Sequence, residues 1–280
     1  MEKKIITEPM IHQYEKNLLE DEKCIATVRK YTRDITAFYE FVGSAPLTKE
    51  IVIQYKHCLT HHYAPASVNS MLAAVNGFLK AQGWYDCTVK SVRIQPQAFR
   101  PKEKELTKEE YYRLLTAASE KKNERISLLM QTVCSTGIRI SELRFITVEA
   151  ARRGSVQVFP KGKNRQILLP SSLCRKLTAY AQERHIPSGS IFVTKTGKPM
   201  DRSNIYHEMQ SLCKAANVSS EKAHPHNLRH LFACQYYNSS KDLSHLADLL
   251  GHSSVNTTRI YTSISSEEQI SQIEQLGLVL

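Results

Sequence analysis

What this 280-residue sequence lacks already excludes several classes of protein. No apolar run approaches the roughly 18 residues of a membrane span, and the opening MEKKIITEP has no signal-peptide core. A phosphate-binding glycine loop of the Walker type is also absent. The cysteines are odd in number, widely scattered and without a C-x-x-C pair, so they indicate neither a disulfide framework nor a zinc site. They are Cys24, Cys58, Cys87, Cys134, Cys174, Cys213 and Cys234. The sequence therefore predicts an intracellular, cytoplasmic protein with reduced thiols.

Charge, by contrast, is abundant and mostly of one sign. The chain has 38 Lys and Arg residues against 27 Asp and Glu residues, which gives a net charge of +11 and a pI near 9.3. The basic excess is present both in residues 1–100 and in residues 101–280. Such a charge predicts attraction to a polyanion such as nucleic acid, although a soluble basic protein without that partner would show it too.

Residues 8–83 have the apolar spacing of short amphipathic helices. In the clearest run, apolar residues recur at intervals of three and four from Val28 to Val42, which indicates one helical face. Thr48 begins the next helix and Pro65 begins a fourth. Four short helices of this kind predict a small helical domain, which we assign to residues 1–86.

The helical periodicity stops in residues 87–106, where prolines and basic residues predict an extended linker. A capping box formed by Thr107 and Glu110 then begins the second domain, which we assign to residues 107–280. Within it the period changes to two from Ser155 to Leu169, which predicts a β-hairpin with the turn KGKN. The predicted fold is therefore mainly α with a small β-sheet.

Three short motifs in the second domain carry residue types that suit one chemistry. TGIRISEL supplies Arg139 and Glu142, HPHNLRHLF supplies His226 and Arg229, and LLGHSSVNTTRIYT supplies His252 and Tyr261. His226 and Arg229 share a face if their segment is helical, because positions three apart are neighbours on a helix. Two arginines and two donor-capable histidines suit a phosphate, whose oxygens accept bidentate, charge-assisted hydrogen bonds. A tyrosine beside that phosphate is placed to attack phosphorus.

Each of these residues also has a purely structural interpretation. Arg139 and Glu142 would form a surface ion pair across one helical turn. His252 would cap the end of the preceding helix. Tyr261 is one of thirteen tyrosines, and most tyrosines fill cores or interfaces.

TGIRISEL, PKGKNR, HPHNLRH and LLGHSSVNTTRIYT together resemble the motifs of the tyrosine recombinase, or phage integrase, family, in particular its short Xer-like members. TVRKYTRDITAFYEFVG and YAPASVNSMLAAVNGFLKAQGW are similar to that family's amino-terminal domain. The resemblance implies a helical core-binding domain of the SAM-like type, followed by an α+β catalytic domain that ends in an exchange helix. In the family this helix docks on a neighbouring subunit; packing on its own domain is the alternative.

The resemblance also implies the chemistry of a site-specific recombinase. The family's tyrosine attacks a DNA phosphodiester, forms a covalent 3′-phosphotyrosyl link and frees a 5′ hydroxyl. The matching catalytic residues are Arg139, Lys161, His226, Arg229, His252 and Tyr261. Glu142 would orient the site, and Lys163 is the alternative to Lys161 as general acid, because the interval to Pro170 is one residue longer than in the Xer pattern. No metal or nucleotide cofactor is expected, since the arginines supply the positive charge and the phosphotyrosine conserves the free energy of the bond.

The implied partner is double-stranded DNA that carries recombination sites. The resemblance implies two protomers per site and a homotetramer at the synapse, with a monomer as the expected free form. Such an enzyme integrates or excises a mobile element, or resolves replicons. Two other functions remain open: a non-cleaving DNA-binding factor on the same scaffold, and a topoisomerase-like relaxase that cuts without exchanging partners. A histidine-based metal hydrolase is disfavoured, because His224 and His226 lack carboxylates at ligand spacing.

Overall fold

The chain forms two compact units, Met1–Pro96 and Gln97–Leu280. The structure, a computed structural model, describes residues 3–94, 104–158, 165–252, 254–261, 270 and 274–275. Both units are built mainly from helices, and the described residues of the second unit also contain a two-stranded antiparallel sheet. The predicted class, mainly α with a small β-sheet, is confirmed. The predicted limits of the two domains and of the linker between them stay a prediction.

The first unit packs its helices around one apolar core. They are α1 (Glu8–Glu20), α2 (Ile25–Val42), α3 (Lys49–His62) and α4 (Pro65–Ala81), followed by a short 3₁₀ helix at Tyr85–Cys87. The predicted apolar face of α2 is confirmed, because Val28, Ile35, Phe38 and Val42 are all buried. Thr48 begins α3 as predicted, since its hydroxyl accepts a hydrogen bond from the backbone N–H three residues later.

Two asparagine side chains fix residues 87–92 to α4. Asn76 donates to the carbonyl of Val89 at 2.8 Å and accepts from the N–H of Val89 at 2.9 Å. Asn69 binds Val92 in the same way, at 2.9 and 2.7 Å. Each amide therefore satisfies both backbone groups of one residue, as a neighbouring strand would. The first residues of the predicted linker are thus part of the packed first unit.

The first α-helix of the second unit begins at the predicted capping box, which is confirmed. The Thr107 hydroxyl accepts from the N–H of Glu110 at 3.2 Å, and the Glu110 carboxylate accepts from the N–H of Thr107 at 2.9 Å. The helices that follow are α5 (Lys108–Glu120), α6 (Glu124–Thr136), α7 (Val148–Arg153), α8 (Ser171–Glu183), α9 (Arg202–Gln210), α10 (Cys213–Ala216), α11 (Pro225–Ser240) and α12 (Leu243–Leu250), with 3₁₀ helices at Ile140–Phe145, Val255–Thr257 and Arg259–Tyr261. α6 packs against α11, and its Leu129, Met130 and Val133 are fully buried.

The predicted β-hairpin is present between α7 and α8. Strands β1 (Ser155–Val158) and β2 (Arg165–Leu168) pair antiparallel, with Ser155 opposite Leu168 and Val158 opposite Arg165. The predicted turn, with Gly162, Asn164 and the two candidate lysines, Lys161 and Lys163, lies outside the described residues. In β2 the buried positions are Ile167 and Arg165, whereas Leu168 is 68% exposed. A charged residue thus occupies a position where the alternation of a strand favours an apolar one.

Two helices differ from their predicted limits. The sequence pattern predicts one helix that is capped by Asp201 or Ser203 and runs to Ala216, but the helix is interrupted after Gln210, so that α9 and α10 are separate helices. The apolar spacing from Lys241 to Leu250 predicts an amphipathic helix over these residues, but the helix begins only at Leu243, because Lys241 has a left-handed φ of 54° and ends α11.

The spacing of Ile270, Ile273 and Leu276 predicts a last amphipathic segment, the candidate exchange helix, which lies outside the described residues apart from residues 270 and 274–275. Among the helices that the structure describes, none is both long enough and apolar enough to cross a membrane.

We predict that Asn76→Ala loosens residues 87–92 from α4. The variant loses both hydrogen bonds to Val89, each of which contributes about 0.5–1.5 kcal/mol. Exchange of the Val89 amide proton, measured by NMR on the full chain, should accelerate by roughly tenfold or more. Asn17→Ala on α1, where the side chain accepts from the exposed Gln13, is the control and should leave this amide unchanged. Equal exchange rates of the Val89 amide proton in both variants would contradict the proposed role of Asn76.

Candidate active site

A cleft of about 1120 Å³ in the second unit gathers the predicted residues from three separate motifs. Its walls include Arg139, His226, Arg229, His252 and Tyr261. Glu142 lies behind this wall and is nearly buried, with a side chain 5% exposed. Lys161 and Lys163 lie outside the described residues. The folded chain therefore brings together the side chains that the sequence analysis assigned to one phosphate.

Arg229 bridges the carboxyl ends of two helices. It lies in the second turn of α11, which begins at Pro225, and it is only 5% exposed. Its guanidinium donates to the carbonyl of Gly137 after α6, and to that of Leu250 in α12 at 2.8 Å. Carbonyls at helix ends lack intrahelical partners and carry the negative pole of the helix dipole, so they suit a cation. Burial, and then Arg139, lowers the pKa of Arg229, which still remains a cation at neutral pH.

Arg139, from the upstream motif TGIRISEL, contacts the same carboxyl end of α12. It precedes the 3₁₀ helix Ile140–Phe145, and its side chain is 33% exposed towards the cleft. One terminal nitrogen donates to the carbonyl of Gly251 at 3.0 Å, and the other donates to Glu142 Oε1 at 3.0 Å. The backbone N–H of Arg139 also donates to Glu142 Oε2 at 3.0 Å. Its orientation is therefore fixed at three points before any ligand binds.

Arg165, which the sequence analysis did not select, is the second partner of Glu142. Its guanidinium donates to Glu142 Oε2 at 2.6 Å and to the carbonyl of Leu249 at 2.8 Å. Burial is the main cause that lowers the pKa of Arg165, and the carboxylate of Glu142 opposes this effect. Three successive carbonyls at the end of α12, those of residues 249, 250 and 251, thus accept hydrogen bonds from three different arginines.

His252 follows this helix end directly, and its hydrogen bonds define its tautomer. Nε2 lies 3.2 Å from a terminal nitrogen of Arg229, and Nδ1 lies 2.8 Å from the hydroxyl of the buried Thr258. Because a guanidinium only donates, Nε2 accepts, and Nδ1 carries the proton that it donates to Thr258. Burial, followed by the positive charges of Arg229, Arg139 and Arg165, lowers the pKa of His252 to about 4. The imidazole is therefore neutral at pH 7.

Tyr261 is the last residue of the 3₁₀ helix Arg259–Tyr261 and is 5% exposed. It lies beside His252. Its ring lies nearly parallel to that of His252, with 6.1 Å between centroids and 17° between planes. The ring of His230 meets it edge-on at 5.0 Å. The side chain also packs with Leu246 and Leu250 of α12. The phenol is therefore held at the wall of the cleft by the helix that precedes His252.

His226 enters the cleft from the first turn of α11. Its ring is nearly parallel to that of His224, with 6.5 Å between centroids. Burial, and then the nearby Arg202, lowers the pKa of His224. Arg202 and Tyr206 from α9 also line the cleft, and neither was selected from the sequence.

Two further residues of the site were also not selected from the sequence. For Arg165 the sequence contained one indication of a role, a charge at an inward position of a predicted strand. For Thr258 it contained none beyond its place within NTTRIY.

Comparison with known proteins agrees with this geometry. Residues 104–268 match the model of the phage integrase family. The chain belongs to this family. It is 25% identical to the tyrosine recombinase XerA of Pyrococcus furiosus across 100% of this chain and 98% of that relative. It is 30% identical to the tyrosine recombinase XerD of Caulobacter vibrioides across 73% of this chain and 72% of that relative. The predicted Xer-like tyrosine recombinase, an enzyme that cleaves and rejoins DNA, is thereby confirmed.

Solved structures share the fold of this recombinase. The XerH site-specific recombinase bound to its difH substrate aligns with a TM-score of 0.71 at 20% identity, over 91% of this chain and 79% of that one. The Tn1549 transposon integrase in complex with transposon right-end DNA aligns with a TM-score of 0.74 at 15% identity, over 97% of this chain and 99% of that one.

We predict that Gly137→Ala disturbs the anchor of Arg229. Gly137 has φ +62°, and a Cβ atom there would lie 2.4 Å from Phe232 Cδ1 and 3.1 Å from Leu250 Cδ2. Gly154 is the matched control, because it also ends a helix with a left-handed φ but has open space around a Cβ atom. Gly154→Ala should cost about 1 kcal/mol of unfolding free energy from backbone strain. Gly137→Ala should cost about 1–3 kcal/mol more, from overpacking. Equal losses in chemical denaturation would contradict the predicted clash.

We predict that His252 makes the stability of the recombinase depend on pH. Its pKa is about 4 in the folded protein against 6.5 for an ordinary histidine, so the unfolded chain binds more protons between these values. The stability that the neutral imidazole of His252 contributes is fully present above pH 6.5 and is lost as the pH falls towards 4. The stability difference between the wild type and His252→Gln, from urea unfolding at pH 7, 6 and 5, should therefore shrink with falling pH. His207→Gln, at an exposed histidine, is the control. If the stability difference between the wild type and His252→Gln does not change with pH, the assignment is contradicted.

Proposed function

We propose that this protein is a site-specific recombinase in which Tyr261 is the nucleophile. The phenolic oxygen forms a bond to phosphorus of a DNA phosphodiester, the bond to the 5′ oxygen breaks, and a 3′-phosphotyrosyl link and a free 5′ hydroxyl result. Attack by that hydroxyl, or by the hydroxyl of a partner strand, reverses the step and releases the tyrosine. The observation that carries the proposal is that Arg139, His226, Arg229, His252 and Tyr261 line one cleft.

In this proposal Arg139 and Arg229 bind the non-bridging oxygens of the phosphate. Both guanidiniums already hold fixed directions through bonds to helix-end carbonyls, so little reorganisation is needed when charge develops on the phosphate. The positive charge that such a transition state needs is supplied by side chains, and the proposed reaction uses no metal or nucleotide. Glu142 keeps Arg139 oriented through its two carboxylate oxygens.

The histidines have separate roles in the proposal. His252 donates from Nε2 to the phosphate, which requires that Nε2 gain a proton and that Arg229 no longer donate to it. Nε2 gains the proton either when the whole imidazole is protonated or when the tautomer changes so that Nδ1 accepts from Thr258. A bound anion next to His252 opposes the effect of the arginines on its pKa and favours the protonated form. His226 either donates to the same phosphate or accepts the phenolic proton. Lys161, with Lys163 as the alternative, protonates the departing 5′ oxygen.

The proposed partner is duplex DNA with a recombination site, bound by two protomers, and two such complexes form the homotetramer that exchanges strands. The net charge of +11 supports DNA as the partner. A lambda integrase structure of the same fold is a tetramer bound to a Holliday junction, at 19% identity and a TM-score of 0.73. We propose a cytoplasmic protein that is monomeric when free, in which the carboxy-terminal segment docks on a neighbouring subunit or, as the alternative, on its own domain.

Trapping of the covalent intermediate tests the proposal. A duplex that the full-length protein selects from a random-sequence pool is nicked next to the cleavage position, so that the cleaved fragment diffuses away and the adduct accumulates. Wild-type protein should form an adduct that survives a denaturing gel, and Tyr261→Phe should form none. Tyr237→Phe is the matched control, because Tyr237 packs against the same small core as Tyr261 but does not line the cleft. It should retain the adduct.

The outcomes separate the alternatives. An adduct with Tyr261→Phe would remove this residue as the nucleophile, and its absence with wild-type protein would favour a DNA-binding factor that does not cleave. When the adduct forms, the products on circular DNA distinguish the remaining functions. Joined or deleted circles indicate recombination, whereas relaxed circles without new junctions indicate a relaxase.

A further inference from the structure

We infer that Arg165 is a positioning residue of the recombinase, which holds Glu142, Arg139 and the end of α12 in the arrangement needed for attack on phosphorus. The inference rests on the proposed function of the cleft. Arg165 itself is not among the residues that line the cleft, so it acts through the side chains that do.

The location of Arg165 is unusual for a residue that only fills a core. It occupies an inward position of β2 and is 8% exposed, while Leu168 of the same strand is 68% exposed. A buried guanidinium is costly to desolvate unless its partners compensate, and an apolar residue of similar volume often serves stability as well or better. Stability alone therefore does not account for an arginine here.

One bond of Arg165 leads to Glu142, which lies behind the wall of the cleft and orients Arg139 in that wall. Its donation to Glu142 Oε2, at 2.6 Å, reaches the same oxygen that accepts from the backbone of Arg139. Without Arg165 this nearly buried oxygen loses its charged donor, and the carboxylate is no longer held from two sides. Arg139 would then lose the fixed partner that orients its guanidinium. A misplacement of about 1 Å in such a group is enough to slow a reaction by about 100-fold.

The second bond of Arg165 reaches the segment that carries His252. It donates to the carbonyl of Leu249 at 2.8 Å, three residues before the histidine. Gly251 lies against the same side chain, since a Cβ atom on Gly251 would be 2.6 Å from Arg165 Cδ. Any shift of Arg165 is therefore transmitted to the turn between α12 and His252. Arg165 is the first residue of β2, so it connects the strand that follows the candidate general acids Lys161 and Lys163 in the sequence to the end of α12.

A lysine is not equivalent at this position. The planar fork of a guanidinium directs two nitrogens to two acceptors, here a carboxylate oxygen and a carbonyl, whereas an ammonium on a flexible stem has no such fixed geometry. Arg165→Lys therefore conserves the charge and removes the geometry. Arg165→Gln removes both, and comparison of the two variants separates the contribution of charge from that of orientation.

Arg125 provides a matched control in the same unit. It donates to the carbonyl of Val193 at 2.7 Å and forms an ion pair with Glu208, so it has the same two kinds of partner as Arg165. Its side chain is 24% exposed and does not line the cleft. Arg125→Lys and Arg125→Gln should lower the melting temperature without an effect on the reaction.

The test measures adduct formation in a single turnover with protein in excess over the nicked duplex, well below the melting temperature of every variant. Arg165→Lys and Arg165→Gln should bind the duplex within about threefold of the wild-type Kd but form the adduct about 100-fold more slowly at saturation. The Arg125 variants should keep the wild-type rate. A wild-type rate in folded Arg165 variants, a defect confined to Kd, or an equal loss in the Arg125 variants would overturn the inference.

A thermal-unfolding cycle tests the contact with Gly251 without any activity. Gly251→Ala should lower the melting temperature less in the Arg165→Ala background than in the wild type, because the obstructing Cδ atom is then absent. Equal shifts of the melting temperature in both backgrounds would contradict the close contact between Gly251 and Arg165, and with it the inference. If wild-type protein forms no adduct, the proposed function fails. If it does and the Arg165 variants match it, only the positioning role fails.

Discussion

The structure of the candidate site depends on the carboxyl end of α12, where three arginines donate to three successive carbonyls. Arg165 comes from the hairpin, Arg139 from the turn after α6, and Arg229 from α11. A helix end ordinarily leaves these carbonyls to water or to a glycine cap. Here the negative pole of the helix offsets part of the repulsion between the three cations, and Glu142 offsets more. The same bonds determine where His252 leaves the helix.

Glycine makes this arrangement sterically possible at two places. Gly137 and Gly251 both have a left-handed φ, and a Cβ atom on either would overlap a neighbouring side chain, of Phe232 in one case and of Arg165 in the other. The carbonyls of these two glycines accept from Arg229 and Arg139. One carbonyl that orients Arg229 and one that orients Arg139 therefore belong to positions that leave no room for a side chain. The steric fit of the site and the orientation of its charges therefore depend on the same two glycines.

Local features of the fold were predictable from the sequence, because they depend on residues close together in the chain. The apolar face of α2, the Thr107 capping box and the hairpin strands are of this kind, and all are confirmed. The break after Gln210 was not predicted, since nothing in the local sequence is incompatible with a helix. The burial of Arg165 depends on partners 23 and 84 residues away, which no local pattern specifies. The convergence of the motifs was reached only through the family resemblance.

The orientation of the arginines has a consequence for the entropy of binding. A free arginine side chain loses up to about 2 kcal/mol of rotamer entropy when a ligand immobilises it. In this recombinase Arg139 and Arg229 are immobilised by the protein itself, through the carbonyls of Gly251 and Leu250. That loss of freedom belongs to folding, and it is not incurred again when the proposed phosphate arrives. In the proposed complex, affinity for the scissile phosphate is therefore set mainly by charge and hydrogen-bond geometry, because little side-chain ordering is left to oppose binding.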